Sequence, residues 1–213
     1  MYNPPAFRMQ ELADMHQAMR AARSATLVTA TDDGLVATLV PMLVEPNEGD
    51  NGTLYAHVAR ANPQWMRPPL TEALAIFNGA EAYITPSWYA AKRETHKVVP
   101  TWNYEAIHAY GPVEFFDDVD RLRDVVTRLT DLHEAARAER WAVTDAPAEF
   151  IASQLKGIVG VRMPITRIDG KRKMSQNRSA ADRAGVIAGL SESERSDDHT
   201  VAAMMTKDLD PSS

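Results

Sequence analysis

The chain has 213 residues, 45% hydrophobic and 24% charged, which supplies the apolar surface for one large or two small globular domains and excludes a disordered chain. The absence of cysteine excludes disulfides, thiol catalysis, iron–sulfur clusters and thiolate zinc sites together. A net charge of -6 is the wrong overall sign for a protein that grips nucleic acid along its whole surface, so any DNA contact has to be local.

The opening Met1 Tyr2 Asn3 Pro4 Pro5 lacks the basic and apolar regions of a signal peptide, so a cytoplasmic location is expected. The longest apolar stretch, Leu35 to Val44, is ten residues long and holds Pro41. It is far short of the roughly 20 residues that span a bilayer as a helix, and no membrane association is expected. A first helix is predicted from Glu11 to Ala22, where Leu12, Met15, Ala18, Met19 and Ala22 recur at helical spacing. Ala25 to Ala30 and Leu35 to Val44 read as strands of a hairpin turned at Asp32 Asp33 Gly34. Further strands are predicted at Thr53 to Val58, Leu74 to Phe77, Glu81 to Thr85, Trp102 to Tyr110 and Pro112 to Phe116, separated by Asn78 Gly79, by Pro86 and by Gly111.

Asp117 and Asp118 then cap a helix whose face is Val119, Leu122, Val126, Leu129 and His133, with His133 expected to be packed. Pro147 opens a short helix through Leu155, Gly157 to Ile168 returns to strand character, and Lys171 to Ser179 reads as a polar loop. Short, closely spaced strands suggest a barrel or sandwich. Residues 1–190 are expected to form one domain. Residues 191–213 form an acidic tail with a short helix from Thr200 to Met205.

The motifs of the common nucleotide, zinc and serine-hydrolase sites are all missing: G-x-x-x-x-G-K-[ST], G-x-G-x-x-G, H-E-x-x-H and G-x-S-x-G. The six histidines have no ligand spacing, so no metal site is expected. Three constellations remain. His57 to Trp65 follows a strand end, where His57, Arg60 and Asn62 add side-chain donors to free backbone N–H groups and suit a phosphate; the alternative is a surface turn with Asn62 capping a helix at Pro63. Tyr83 to Tyr89 and Val98 to Tyr104 interleave aromatic rings with Ser, Thr and Asn, as a heteroaromatic ligand requires, or else build an aromatic core. Gly170 to Arg178 is the peak of a cationic island: residues 162–183 carry seven basic against two acidic side chains, net +5, a loop for one polyanion or a solvated surface.

The pieces Asn62 Pro63 Gln64 Trp65, Ser87 Trp88 Tyr89, Val99 Pro100 Thr101 Trp102 Asn103 Tyr104 and Lys173 Met174 Ser175 Gln176 Asn177 Arg178, with the opening Met1 Tyr2, resemble the PaiB-type FMN-binding negative transcriptional regulators. That family is related to the pyridoxamine 5'-phosphate oxidase and flavin reductase split barrels. The resemblance implies a mainly β fold with flanking helices, a six-stranded antiparallel split barrel. It also implies a homodimer with one FMN per subunit in a cleft at the dimer interface. The implied FMN contacts are Thr38, His57, Arg60, Asn62, Thr101, Trp102, Asn103, Tyr104, Lys173, Ser175, Gln176 and Asn177. DNA as a partner is implied by the resemblance alone. The family pattern Ala-Thr-His-Leu-Pro is here Ala37 Thr38 Leu39 Val40 Pro41, and Ala56 stands where a glycine usually precedes the histidine. An FMN-dependent oxidoreductase, of flavin reductase or oxidase type, is the alternative, followed by a haem-binding split barrel with His57 or His108 as axial ligand.

Overall fold

Asp32 and Asp33 make a two-residue hairpin loop, pairing Thr31 with Gly34 and fixing the register of β1 (Ser24–Thr31) against β2 (Gly34–Glu45). Strand β1 alternates strictly, with Ala25, Leu27, Thr29 and Thr31 buried. The computed structural model, which describes residues 1–207, divides the chain into two units. One comprises Met15–Phe77 and His108–Ile168; the other comprises Met1–Asp14, Asn78–Ile107 and Asp169–Ser213.

Eight strands follow the hydrogen-bonded order β6-β7-β3-β2-β1-β4-β5-β8, with β3 at Thr53–Ala59, β4 at Ala73–Ile84, β5 at Thr101–Gly111, β6 at Glu114–Phe116, β7 at Ile158–Pro164 and β8 at Arg167–Lys173. The residue-by-residue reading had eight strand segments, whereas the resemblance implied six; the described residues form eight. Three of the segments are joined or divided differently. Leu74 to Phe77 and Glu81 to Thr85 are one strand, because Asn78 Gly79 is extended rather than a turn, and a side chain at Gly79 would press on Glu105. Gly157 to Ile168 is two strands, because Pro164 has no N–H and the next two amides turn away, Ile165 to the Gly52 carbonyl and Thr166 to that of Tyr110.

In the Met15–Phe77 and His108–Ile168 unit, helix α3 (Val119–Glu134) starts where the Asp118 carboxylate accepts the Arg121 N–H at 2.9 Å. Its inner face is Leu122, Val125 and Leu129, packed with Leu43, Phe116 and Leu155. The expected face was rotated by part of a turn: Val119 and His133 are exposed, and Val126 is half-buried. In the other unit, α5 (Ala180–Ser191) and α6 (Ser196–Lys207) cover a core of Ala82, Ile84, Tyr89, Met174, Val186, Leu190, Val201 and Met205. Helix α5 and the short helix α2 (Ala90–Thr95) had no counterpart in the sequence reading. The helix expected at Thr200 starts four residues earlier. Helices α1 (Leu12–Ala22) and α4 (Ala148–Leu155) lie within a residue of their expected starts. Among the described residues, no helix is long and apolar enough to cross a membrane.

Candidate functional site: a cationic strand end and an aromatic cavity

Strand β8 ends at Lys173, whose Nζ donates to Thr101 Oγ1 at 2.6 Å and to the Trp102 carbonyl at 2.5 Å. Neither partner carries a charge. Burial, then the like charges of Lys171 and Arg178, hold the Lys173 ammonium below the ordinary lysine value. Among the described residues, three cations thus gather without an acid to neutralise Lys173. Lys171 is buried, donates to the Tyr2 carbonyl at 3.2 Å and lies 5.1 Å from the centre of the Tyr104 ring. Arg178 stands 4.6 Å over Tyr89.

The turn beyond Lys173 is held rigidly. Ser175 takes a left-handed conformation with φ of 60°, and its hydroxyl bonds Asn103 Oδ1 at 3.1 Å while Asn103 Nδ2 donates back at 3.0 Å, with both residues buried. Gln176 closes the same turn, accepting from the Met174 N–H at 2.7 Å and donating to the Arg172 carbonyl at 2.7 Å. Asn177 is exposed. Of the cationic island, Arg172 is cancelled by the buried Glu105 at 2.6 Å. Arg162 belongs to the other unit and is cancelled there by Glu48, also at 2.6 Å. The +5 run is therefore not one patch. The cations that remain available are those around Lys173.

In the Met15–Phe77 and His108–Ile168 unit, Arg60 donates through Nε to the Lys156 carbonyl at 2.8 Å and through Nη2 to that of Ile158 at 3.1 Å, and Nη1 lies 3.7 Å from Asp117. Its guanidinium joins the end of β3 to the start of β7. Asn62 caps the 3-10 turn Pro63–Met66, accepting the Gln64 N–H at 2.9 Å, and its Nδ2 donates to Thr38 Oγ1 at 3.0 Å. His57 is half-buried, its Nδ1 is buried without a partner, and burial pulls it below the ordinary histidine value, so the neutral ring dominates near neutral pH. Gln64 is fully buried with Oε1 unpartnered, while its Nε2 donates to the Leu27 carbonyl and Thr29 Oγ1 at 3.1 Å each. Among the described residues, no group of three or more His, Asp or Glu could hold a metal.

Residues 1–167 match the family described as "Putative FMN-binding domain". The chain belongs to that family, and its cofactor is FMN. Protease synthase and sporulation protein PAI 2 of Bacillus subtilis (strain 168) is 30% identical over 210 residues, covering 98% of each chain. The PaiB-type resemblance thus extends along the whole sequence. Among solved structures, flavocytochrome Anf3 from Azotobacter vinelandii aligns with a TM-score of 0.59 at 12% identity, covering 84% of this chain and 75% of that one. The FAD and heme binding protein from Mycobacterium smegmatis aligns at 0.57 and 15% identity, covering 83% and 78%. The fold is accordingly mainly antiparallel β of the split-barrel class with flanking helices.

The residues present fit an anionic, planar cofactor. A cation pushed below its ordinary range is restored by a phosphate, and the β5 segment Trp102 to Tyr104, whose Trp102 carbonyl Lys173 bonds, offers aromatic surface beside it. In the same unit the buried Arg183 Nε has no hydrogen-bond partner among the described residues. Lys171, Arg178 and Tyr89 were not among the implied FMN contacts; Lys171 stood out only within the cationic run, while Arg178 and Tyr89 also lay in the pieces that carry the family resemblance.

Proposed function

We propose that this protein is an FMN-binding regulator of the PaiB type that works as a homodimer. The observation that carries the cofactor assignment is Lys173: among the described residues it bonds only neutral groups, it lies among Lys171 and Arg178, and it is held low by burial and then by their charges. On this reading Lys173, bonded to Thr101 and placed on a turn fixed by Ser175 and Gln176, takes the FMN phosphate together with the exposed Asn177, and Trp102, Asn103 and Tyr104 present the neighbouring wall of β5. Thr38, His57, Arg60 and Asn62 are proposed as FMN contacts of the other unit. There the neutral His57 ring keeps an unused nitrogen, and Asn62 holds Thr38 in place. FMN, when bound, supplies one- and two-electron chemistry; the chain's own groups bind and orient it. The regulatory role rests on the PAI 2 relationship.

A second reading, a flavin-dependent oxidoreductase, is supported by the fold likeness to a flavocytochrome and to an FAD and heme binding protein. Reduction of bound FMN by a nicotinamide donor, followed at flavin absorbance, separates the two. Steady turnover with an acceptor favours the oxidoreductase, and a tightly bound flavin that does not turn over favours the regulator.

A further inference from the structure

Tyr83, Trp88 and Trp102 line a cavity of about 500 Å³ that is closed on its other side by Gly189, Glu192 and Asp198 of the helical pair. The Tyr83 and Trp102 ring centres are 6.0 Å apart with planes inclined at 60°, so the two rings form adjoining walls rather than a stacked pair. Both are left partly open, at 49% and 43% exposure. Trp88 is placed by the backbone of α5: a side chain at Gly189 would occupy the volume of its indole, and one at Gly185 would strike its carbonyl. A stretch of small residues on α5 therefore seats a large ring beside the cavity.

Arg195 apart, the polar side chains lining the cavity are hydroxyls and carboxylates. Trp102 Nε1 already donates to Glu81 at 3.3 Å, and Ser193 Oγ donates to Asp198 at 2.6 Å. Glu192 has no partner among the described residues, and Arg195, the one cation in the lining, is 70% exposed and 3.8 Å from Asp198. Elsewhere in this unit the aromatic faces carry the protein's own cations, Arg178 on Tyr89 and Lys171 on Tyr2 and Tyr104. No Lys or Arg stands over Tyr83, Trp88 or Trp102 among the described residues. Aromatic faces turned to a cavity with carboxylates at its edge attract a positive charge and repel a phosphate. FMN, a dianion with carbonyls that need donors, is poorly served here, and the cations around Lys173 serve it better.

We propose that the cavity formed by Tyr83, Trp88 and Trp102 with Glu192 and Asp198 binds a small organic cation bearing an alkylated ammonium group. Cation–π attraction and the unpaired carboxylate of Glu192 supply the affinity, and the ligand displaces Arg195 from Asp198. The site is separate from the phosphate contacts at Lys173, so the proposal does not depend on FMN occupying any given wall.

The test uses the full chain, titrated by calorimetry with choline and with 3,3-dimethylbutan-1-ol, its uncharged counterpart of the same shape. Choline is expected to bind saturably and at least about tenfold more tightly than the neutral alcohol, weakening with added salt. Glu192→Gln, an exposed substitution that leaves the fold intact, is expected to cut choline affinity about fivefold, and Trp88→Leu to abolish it, while both variants still bind FMN as the parent does. Equal binding of the alcohol, no saturable choline binding, an unchanged Glu192→Gln, or stoichiometric displacement of choline by FMN would each overturn the proposal. Because FMN binding is read separately from the flavin signal, failure of the cation site and failure of the FMN assignment are distinguishable.

Discussion

Arg60, proposed above as an FMN contact, also serves the fold. Its guanidinium already bonds two main-chain carbonyls. Arg60→Ala should therefore lower stability by about 1 kcal/mol in denaturant unfolding as well as weaken FMN binding. Arg123→Ala, exposed on α3, should change neither; Arg121 is a poorer control because it pairs with Glu114 at 2.7 Å and lies 3.9 Å over Phe116. The role proposed for Lys173 makes FMN binding dependent on pH. Its folded-state pKa lies below the ordinary lysine value, so folding disfavours its proton, and the free protein gains stability as pH rises through that lowered value. Phosphate needs the proton, so FMN affinity should fall over the same alkaline window, and Lys173→Arg, which stays charged, should flatten the fall. A titration series at rising pH checks both. His57, pulled low by burial, acts at the acid end: stability should decline as pH falls from the ordinary histidine value through the lowered one. The donors at Arg60, Asn62 and Lys173 were legible as residue types in suggestive runs. Their partners were not, because Lys156 and Ile158 lie almost a hundred residues from Arg60, and Thr101 lies 72 from Lys173.

At the level of elements, legibility followed local pattern. The β1–β2 hairpin was readable because Asp32 Asp33 Gly34 punctuates two β-rich runs, and α3 because its apolar spacing and its Asp118 cap agree. Helix α5 was missed for a physical reason. Ala180 Ala181 and Gly185, Gly189 give it little amphipathic contrast, and it is held by tertiary packing on Trp88 rather than by its own pattern. Gly79, a turn signal by composition, sits inside β4 because a close neighbour, Glu105, leaves no room for a side chain. The acidic Ser191 to Asp198 stretch also leads into a packed helix, since Val201, Ala202 and Met205 are all buried. Met205→Ala should accordingly cost about 2–5 kcal/mol, read as a lower midpoint in urea unfolding. A terminus that merely trails the fold would give almost no change. Gly189→Val should cost about 1–3 kcal/mol by displacing Trp88, visible as a shift in tryptophan emission.

Over the whole molecule, the homodimer and any DNA contact are where the regulator reading is most exposed to test. Strand β2 turns Leu35 and Leu39 outward at 78% and 70% exposure, a surface that a second copy would cover and an isolated subunit would leave wet. Light scattering should give twice the chain mass, and Leu39→Glu should shift it toward the monomer. Any DNA affinity of the FMN-loaded dimer should be weak, sequence-independent and steeply reduced by salt, because Glu48 and Glu105 cancel Arg162 and Arg172 within the cationic run. A mobility-shift series across salt concentrations, with and without FMN, measures this; tight, sequence-selective binding at physiological salt would show a recognition element outside that run. The most direct measurement of all is a titration of the flavin-free protein with FMN, followed by quenching of flavin fluorescence, for the parent and for Lys173→Ala. Saturation at one FMN per chain, with the variant weakened by about 1.5–3 kcal/mol, roughly ten- to a hundredfold, is the expected result. Absence of saturable binding, or equal affinity in the variant, would contradict the assignment of the FMN phosphate to the β8 cations.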